Sequence, residues 1–244
     1  MRPRPLDSQT PSSSVEALEL QGKIVDAAID QVAYKRYLHG LRRCMQQKGY
    51  GLLASSREQS LFPNSCFLFV LLNADGHMHG GIRVQVHGAR APIPSVQVLR
   101  HLVPKAASGI EASAEEGGCG ELCGIWLDPV LSGRGVAMAL TEYACSHAVE
   151  ISGRWLWGIC PDLLLEGYQR VGFRVPPIAE VRDGFHYRDA REHAWLIRRD
   201  NFDMAPTKRS DIGLGEAAET ARSGLIRVGG HRGSASIRFD VEGR

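Results

Sequence analysis

The stretch LDPVLSGRGVAMAL, Leu127 to Leu140, holds the residues whose types and spacing speak most directly of chemistry. Gly133 and Gly135 flank Arg134, and small and apolar residues follow. Two glycines so close leave backbone N–H groups bare of side chains. If a helix begins there, its first turn carries unpaired N–H groups and the positive end of the helix dipole. A phosphate can then sit directly on the backbone. The stretch is not the phosphate loop ending in Gly-Lys-Ser/Thr, and it lacks the third glycine of the dinucleotide fingerprint. Taken alone, it also fits a plain connecting turn.

Other reactive side chains make weaker patterns. His77 and His79 stand two apart beside a turn, but no Cys or acid at a matching spacing completes a ligand set. Cys119 and Cys123 are four apart with no second pair, so zinc is not indicated either, and no metal is expected. Cys160 follows an apolar stretch and reads as packing before nucleophile. The six cysteines together read as small core residues in a reducing compartment.

The elements that must position these residues lie within a chain of 244 residues, 43% hydrophobic and 23% charged, enough for one good core. A net charge of +2 is too mild to argue for nucleic acid. No apolar run reaches the length of a membrane span, and no secretory signal is legible, so a cytoplasmic location is expected. Residues 1–14 are rich in Pro and Ser and read as disordered, with a helical region from about Val15. Asp30 caps a helix whose apolar face runs through Tyr34, Tyr37, Leu38 and Leu41 and which stops at Gly49. Phe67–Leu72 and Gly81–Val86 read as strands joined at Asp75-Gly76. Val96 to Val103 reads as a short helix, and KAASGIEASAEEGGCG as a small acidic loop. Leu122–Leu127 and Trp155–Ile159 read as strands buried on both faces. Helical spacing links Val136, Leu140, Tyr143, Ala144, His147 and Ile151. A second helix, PDLLLEGYQR, stops at Gly172, and HYRDAREHAWLIRRD ends in a strand. Strand, glycine turn, helix, strand and helix make a βαβ unit in a mixed α/β sheet. Residues 201–244 read as a flexible or marginally structured extension, with a short hairpin across HRGS.

With Pro129, Gly133, Arg134, Gly135 and Ala137 in register, and Tyr168, Gly172 and Phe173 further on, the chain resembles the GNAT superfamily of acyl-CoA-dependent N-acyltransferases. The likeness is specific over about 121–175. It implies a single GNAT-like domain over 15–200, a mixed central sheet with splayed parallel strands flanked by helices. It implies acetyl-CoA or another acyl-CoA as co-substrate, its pyrophosphate on the backbone of Ser132, Gly133, Arg134, Gly135, Val136 and Ala137. The pantetheine arm would lie along the strand through Ile125 and Leu127. Tyr168 would act as general acid on the leaving thiolate, and Glu121 as general base for the amine. Where the family prefers Arg or Gln the chain has Ser132, and Arg134 stands where it could compensate. The expected acceptor is a primary amine, small-molecule or protein, on a monomer or homodimer, with no nucleic-acid or membrane partner.

Gly80, Arg83 and Glu121 also resemble the outline of the acyl-homoserine-lactone and N-acyl amino acid synthases, which share the fold. Their Glu-Ser-Arg triplet is Glu121-Leu122-Cys123 here, and the intact glycine loop favours coenzyme A over a carrier protein as donor. A non-catalytic coenzyme A-binding domain is the third alternative.

Overall fold

The computed structural model describes residues 18–49, 65–88, 92–187, 192–203 and 224–239. Among the described residues, nine strands form one sheet in the order β6-β7-β5-β4-β3-β2-β1-β9-β8. They are β1 (Leu18–Asp26), β2 (Cys66–Leu72), β3 (Met78–Val86), β4 (Cys119–Leu127), β5 (Trp155–Pro161), β6 (Phe185–Tyr187), β7 (Glu192–Asp200), β8 (Leu225–Gly230) and β9 (Gly233–Phe239). The pairs β4/β5 and β1/β9 are parallel and the others antiparallel. The expected mixed α/β sheet is thus the observed architecture.

Among the described residues, five helices cover the two faces: α1 (Gln31–Gln47), α2 (Pro94–Leu102), α3 (Pro104–Glu115), α4 (Val136–Ser152) and α5 (Asp162–Arg170). Alternation along the strands divides the core. Phe69, Leu71, Ile82, Val84, Leu122 and Leu156 face α4 and α5. Their neighbours Leu68, Val70 and Trp126 face α1, and Cys119, Trp155 and Trp157 face α2 and α3. Asp30 caps α1 as expected, accepting the N–H of Ala33 at 2.8 Å. No helix among the described residues is long and apolar enough to cross a membrane.

Three expectations are corrected. The helical region expected from Val15 is strand β1 where the structure describes it: Leu18, Leu20 and Gly22 recur with period two and face the core. The loop expected over KAASGIEASAEEGGCG is largely α3. Pro104 sits in its first turn, four alanines lie within it, and Ala106, Ala107, Ile110 and Ser113 bury one stripe. The expected flexible extension contains the foreseen hairpin, and β9 lengthens the main sheet by pairing with β1. Phe239 stacks on Tyr143 of α4 at 3.5 Å between centroids, and bare Gly22 makes room for its ring. The expected disordered segment 1–14 lies outside the described residues.

Candidate active site

The parallel pairing of β4 with β5 stops early. Cys119, Gly120 and Glu121 pair with Trp155, Leu156 and Trp157, and beyond that rung the strands separate. A bulge in β4 accounts for the departure. Against β3, Cys123 faces Arg83 and Trp126 faces Gly81, so Gly124 and Ile125 together oppose a single residue. Gly124 has φ +66°, which a bulge can demand and which glycine supplies without strain. The Tyr37 hydroxyl donates to its carbonyl at 2.6 Å and fixes the bend. The bent half of β4, carrying half-buried Ile125 and Leu127, lines the wedge between the strands.

At the end of β4 a short 3-10 turn (Pro129–Leu131) leads through exposed Ser132 into the glycine loop. Gly133 and Gly135 have φ +72° and +78°, and Val136 opens α4. Among the described residues, no acceptor meets the backbone N–H groups of Gly133, Arg134, Gly135, Val136, Ala137 and Met138. Six consecutive donors at a helix N-terminus make a cradle for an anion.

The C-terminal hairpin approaches this loop from the other side. The Arg232 N–H donates to the Gly133 carbonyl at 3.1 Å. Arg134 does not turn toward the cradle. Its Nε donates to the Val130 carbonyl and its Nη1 to the Ser234 carbonyl, both at 3.0 Å, clasping the hairpin. A Cβ on Gly133 would meet the His231 ring at 2.7 Å, and one on Gly230 would meet the Gly133 carbonyl oxygen at 2.1 Å. The bare glycines thus admit a second backbone as well as leaving their own donors open.

Glu121 sits on the last paired rung, at the fork of the wedge, and is buried rather than solvated at a strand end. Its Oε2 accepts the N–H of Ser95 at 2.7 Å, in the first turn of α2. Burial raises its pKa, opposed by the Ser95 hydrogen bonds and the charge of Arg83. Tyr168 lies on the opposite face among the residues packed with α4, edge-on to Phe173 at 5.5 Å. Burial, aided by the thiols of Cys160, Cys145 and Cys123, lifts its pKa well above the usual phenol value. A carboxyl and a phenol therefore approach the wedge from opposite faces of the sheet.

Some partners were not legible from spacing. His77 and His79 are joined by Asp128, from the far end of β4, with the ligand atoms of all three within 4.8 Å of one another. Arg43 also binds Asp128, at 2.5 Å, and so already matches its charge. His193 of β7 bonds Asp162 at the start of α5. The six cysteines are free; five are buried and Cys123 is half-buried.

Solved structures share the overall fold of this chain. The chain has the GNAT fold. FeeM, an N-acyl amino acid synthase from uncultured soil microbes, aligns over 75% of this chain and 92% of its own at 18% identity and a TM-score of 0.58. Escherichia coli ElaA aligns over 74% and 99% at 9% identity and a TM-score of 0.52. MesI, a CoA-dependent acyl-homoserine lactone synthase, covers 83% and 93% at 13% identity and a TM-score of 0.50. At these identities the likeness speaks for the GNAT fold alone. No protein-family model and no curated protein matches the sequence.

Proposed function

We propose that the chain is an N-acyltransferase that moves an acetyl or other short acyl group from acyl-CoA to a primary amine by direct attack. The observation that carries this reading is the row of six unmatched N–H groups, Gly133 to Met138, at the mouth of the β4/β5 wedge. The pyrophosphate of the donor is held by the N–H groups of Arg134 to Ala137, with Gly133 and Ser132 alongside. Its pantetheine arm pairs with the main chain of Ile125 and Leu127, where β4 has left β5 and its peptide groups are free to bond. The thioester then lies in the wedge between Glu121 and Tyr168.

The amine nitrogen attacks the thioester carbonyl carbon, the C–S bond breaks, and an amide and coenzyme A are formed. Glu121, directly or through a water, takes the proton that the ammonium or the attacking nitrogen loses. Tyr168 supplies a proton or a hydrogen bond to the departing sulfur. With its pKa raised, the phenol is a weaker acid but stays protonated, so the donor is in place at every turnover. Holding amine and thioester in one wedge removes the entropy of bringing them together, the main contribution expected when no covalent enzyme intermediate is used.

A second reading, a synthase that acylates an amino acid from an acyl carrier protein, is favoured by Arg83 and Glu121 on one sheet face and by the likeness to FeeM. Incubation of the purified chain with acetyl-CoA, a long-chain acyl-CoA and a long-chain acyl carrier protein, each against a broad amine panel, separates the readings by product mass. Transfer from short acyl-CoA supports the first. Transfer from the acyl carrier alone replaces it with the second. Tight coenzyme A binding without turnover of any donor leaves a non-catalytic domain.

A further inference from the structure

His77 and His79 have no acid at a neighbouring position, and the fold supplies one from the next strand. Asp128 directly follows β4, and its N–H donates to the His79 carbonyl at 2.7 Å, so the two residues stand side by side across the β3/β4 ladder. A bulge aims His79 at it. Leu71 pairs with Gly80 and Leu72 with Met78, so His79 is an extra residue that opposes nothing on β2. Bulges of this kind re-aim a side chain and gather beside functional sites. The backbone of His77 is fixed by the turn before β3. Asn73 Oδ1 accepts the His77 N–H at 2.9 Å, and the His77 carbonyl accepts the Asn73 N–H at 3.0 Å.

Three donor atoms converge as a result. His79 Nδ1 lies 3.0 Å and His77 Nε2 3.8 Å from the same oxygen, Oδ2 of Asp128. The ligand atoms of all three lie within 4.8 Å of one another. An ion at the ordinary zinc distances of about 2.0–2.2 Å would set them roughly 3.3–3.6 Å apart in a tetrahedral arrangement. A turn of the His77 side chain, 59% exposed, closes the remaining gap. Arg43 does not occupy that oxygen. It binds the other one, Oδ1, at 2.5 Å, and so orients the carboxylate as outer partners of metal ligands do. Its side chain is 44% exposed, so water weakens its repulsion of an ion on Oδ2.

The donor set names the ion. Two imidazole nitrogens and one carboxylate oxygen suit zinc and its neighbours in the first transition row, whereas magnesium and calcium take oxygen. A second histidine pair, His186 and His193, lacks this convergence. Both ring nitrogens of His193 are spent, on Asp162 and on the Asp183 carbonyl. We propose that His77 Nε2, His79 Nδ1 and Asp128 Oδ2 bind one zinc-class divalent ion, with water in the fourth position. The ion ties the β2/β3 hairpin to the residue at which the chain leaves β4 for the glycine loop. The site does not rest on the acyl-transfer reading and stands or falls without it.

The test titrates zinc into the tag-free, chelator-treated chain by calorimetry, with magnesium as the hard-ion control, in wild type, His77→Gln, Asp128→Asn and His186→Gln. The wild type is expected to bind one zinc and no magnesium. It should also melt higher with zinc than without, since the ion binds the folded chain. Loss of an outer partner alone costs about 10–100-fold in metal affinity, so loss of a ligand in His77→Gln or Asp128→Asn is expected to weaken zinc binding by about a hundredfold or more. His186→Gln is expected to bind zinc as the wild type does. Asp128→Asn also loses the Arg43 ion pair; should it not fold, His77→Gln, at an exposed position, carries the decision alone. No zinc binding by the wild type overturns the site, as does magnesium bound as tightly as zinc. Zinc affinity unchanged in His77→Gln overturns it too, and marks an adventitious ion only.

Discussion

The backbone N–H of Arg232 donates to the carbonyl of Gly133 at 3.1 Å, tying a hairpin at the end of the chain to the loop that opens α4. The contact leaves the loop's own N–H groups open, so the hairpin braces the cradle rather than filling it. Gly230→Ala tests this, because its Cβ would fall 2.1 Å from the Gly133 carbonyl oxygen, where only a shift of backbone relieves the clash. Overpacking of this kind costs roughly 1–3 kcal/mol. Thermal melting should fall by several degrees and calorimetry should show weaker coenzyme A binding. Tighter binding would instead make the hairpin a competitor for the loop.

Gly135→Val should abolish coenzyme A binding. The residue sits at φ +78°, where a β-branched side chain is strained, and its Cβ would lie 3.0 Å from the Gly229 carbonyl oxygen. The comparison is Gly76→Val, at φ +76° with open space around it. Both variants carry strain on the order of 1–3 kcal/mol. Only Gly135→Val should lose binding in a calorimetric titration; equal affinity in the two would remove the loop from the donor site.

The strand-to-helix turn was legible because its meaning is local: Gly133 and Gly135 mark it through a spacing of two residues. What depends on distant pairing was not. Strand β1 read as the start of a helical region because its parallel partner β9 lies more than two hundred residues on. Asp128 meets His79 across 49 positions, so a search of neighbouring sequence missed it. Arg83 matched the synthase outline by spacing, but its complete burial shows only once the sheet and α1 close over it. Helix α3 was missed for a different reason, its small residues reading as loop when alanine is the strongest helix former.

Tyr168→Phe removes one hydroxyl and little volume, so the fold should survive. General acid–base help contributes roughly a hundredfold to ten-thousandfold. Steady-state kinetics should show kcat lower by at least the smaller factor with the donor KM nearly unchanged, the pattern of an interaction made in the transition state. A raised KM with normal kcat would make Tyr168 a packing residue of the donor pocket.

Glu142 on α4 should make stability fall with rising pH. Burial lifts its carboxyl from 4.5 to about 7, and its Oε2 is buried with no hydrogen-bond partner among the described residues. Between those two values the folded chain holds a proton that the unfolded chain has released, so stability declines as pH rises through that window and stays lower above it. The loss should be on the order of 1 kcal/mol once partial solvent contact is allowed for. Glu142→Gln should melt higher than wild type at pH 8 and equally at pH 4; a constant difference across the range would exclude the carboxyl as its source.

Glu121 carries the pH dependence of the reaction itself. As a base it must be ionised, and burial raises its pKa above 4.5 despite the Ser95 hydrogen bonds and Arg83. The acidic limb of kcat/KM should therefore lie above the ordinary carboxylate range, with activity rising as pH passes through the raised value. Glutamine keeps the shape but cannot accept the proton. In Glu121→Gln the rate should fall by about a hundredfold or more at neutral pH, and the acidic limb should disappear, since the remaining activity no longer waits on this ionisation. Replacing Arg83 removes a charge that lowers the Glu121 pKa, so Arg83→Gln should move the limb to higher pH. A limb that stays in place in both variants, measured with a slow acceptor so that the chemical step is rate-limiting, would assign it to the amine and take the base role away from Glu121.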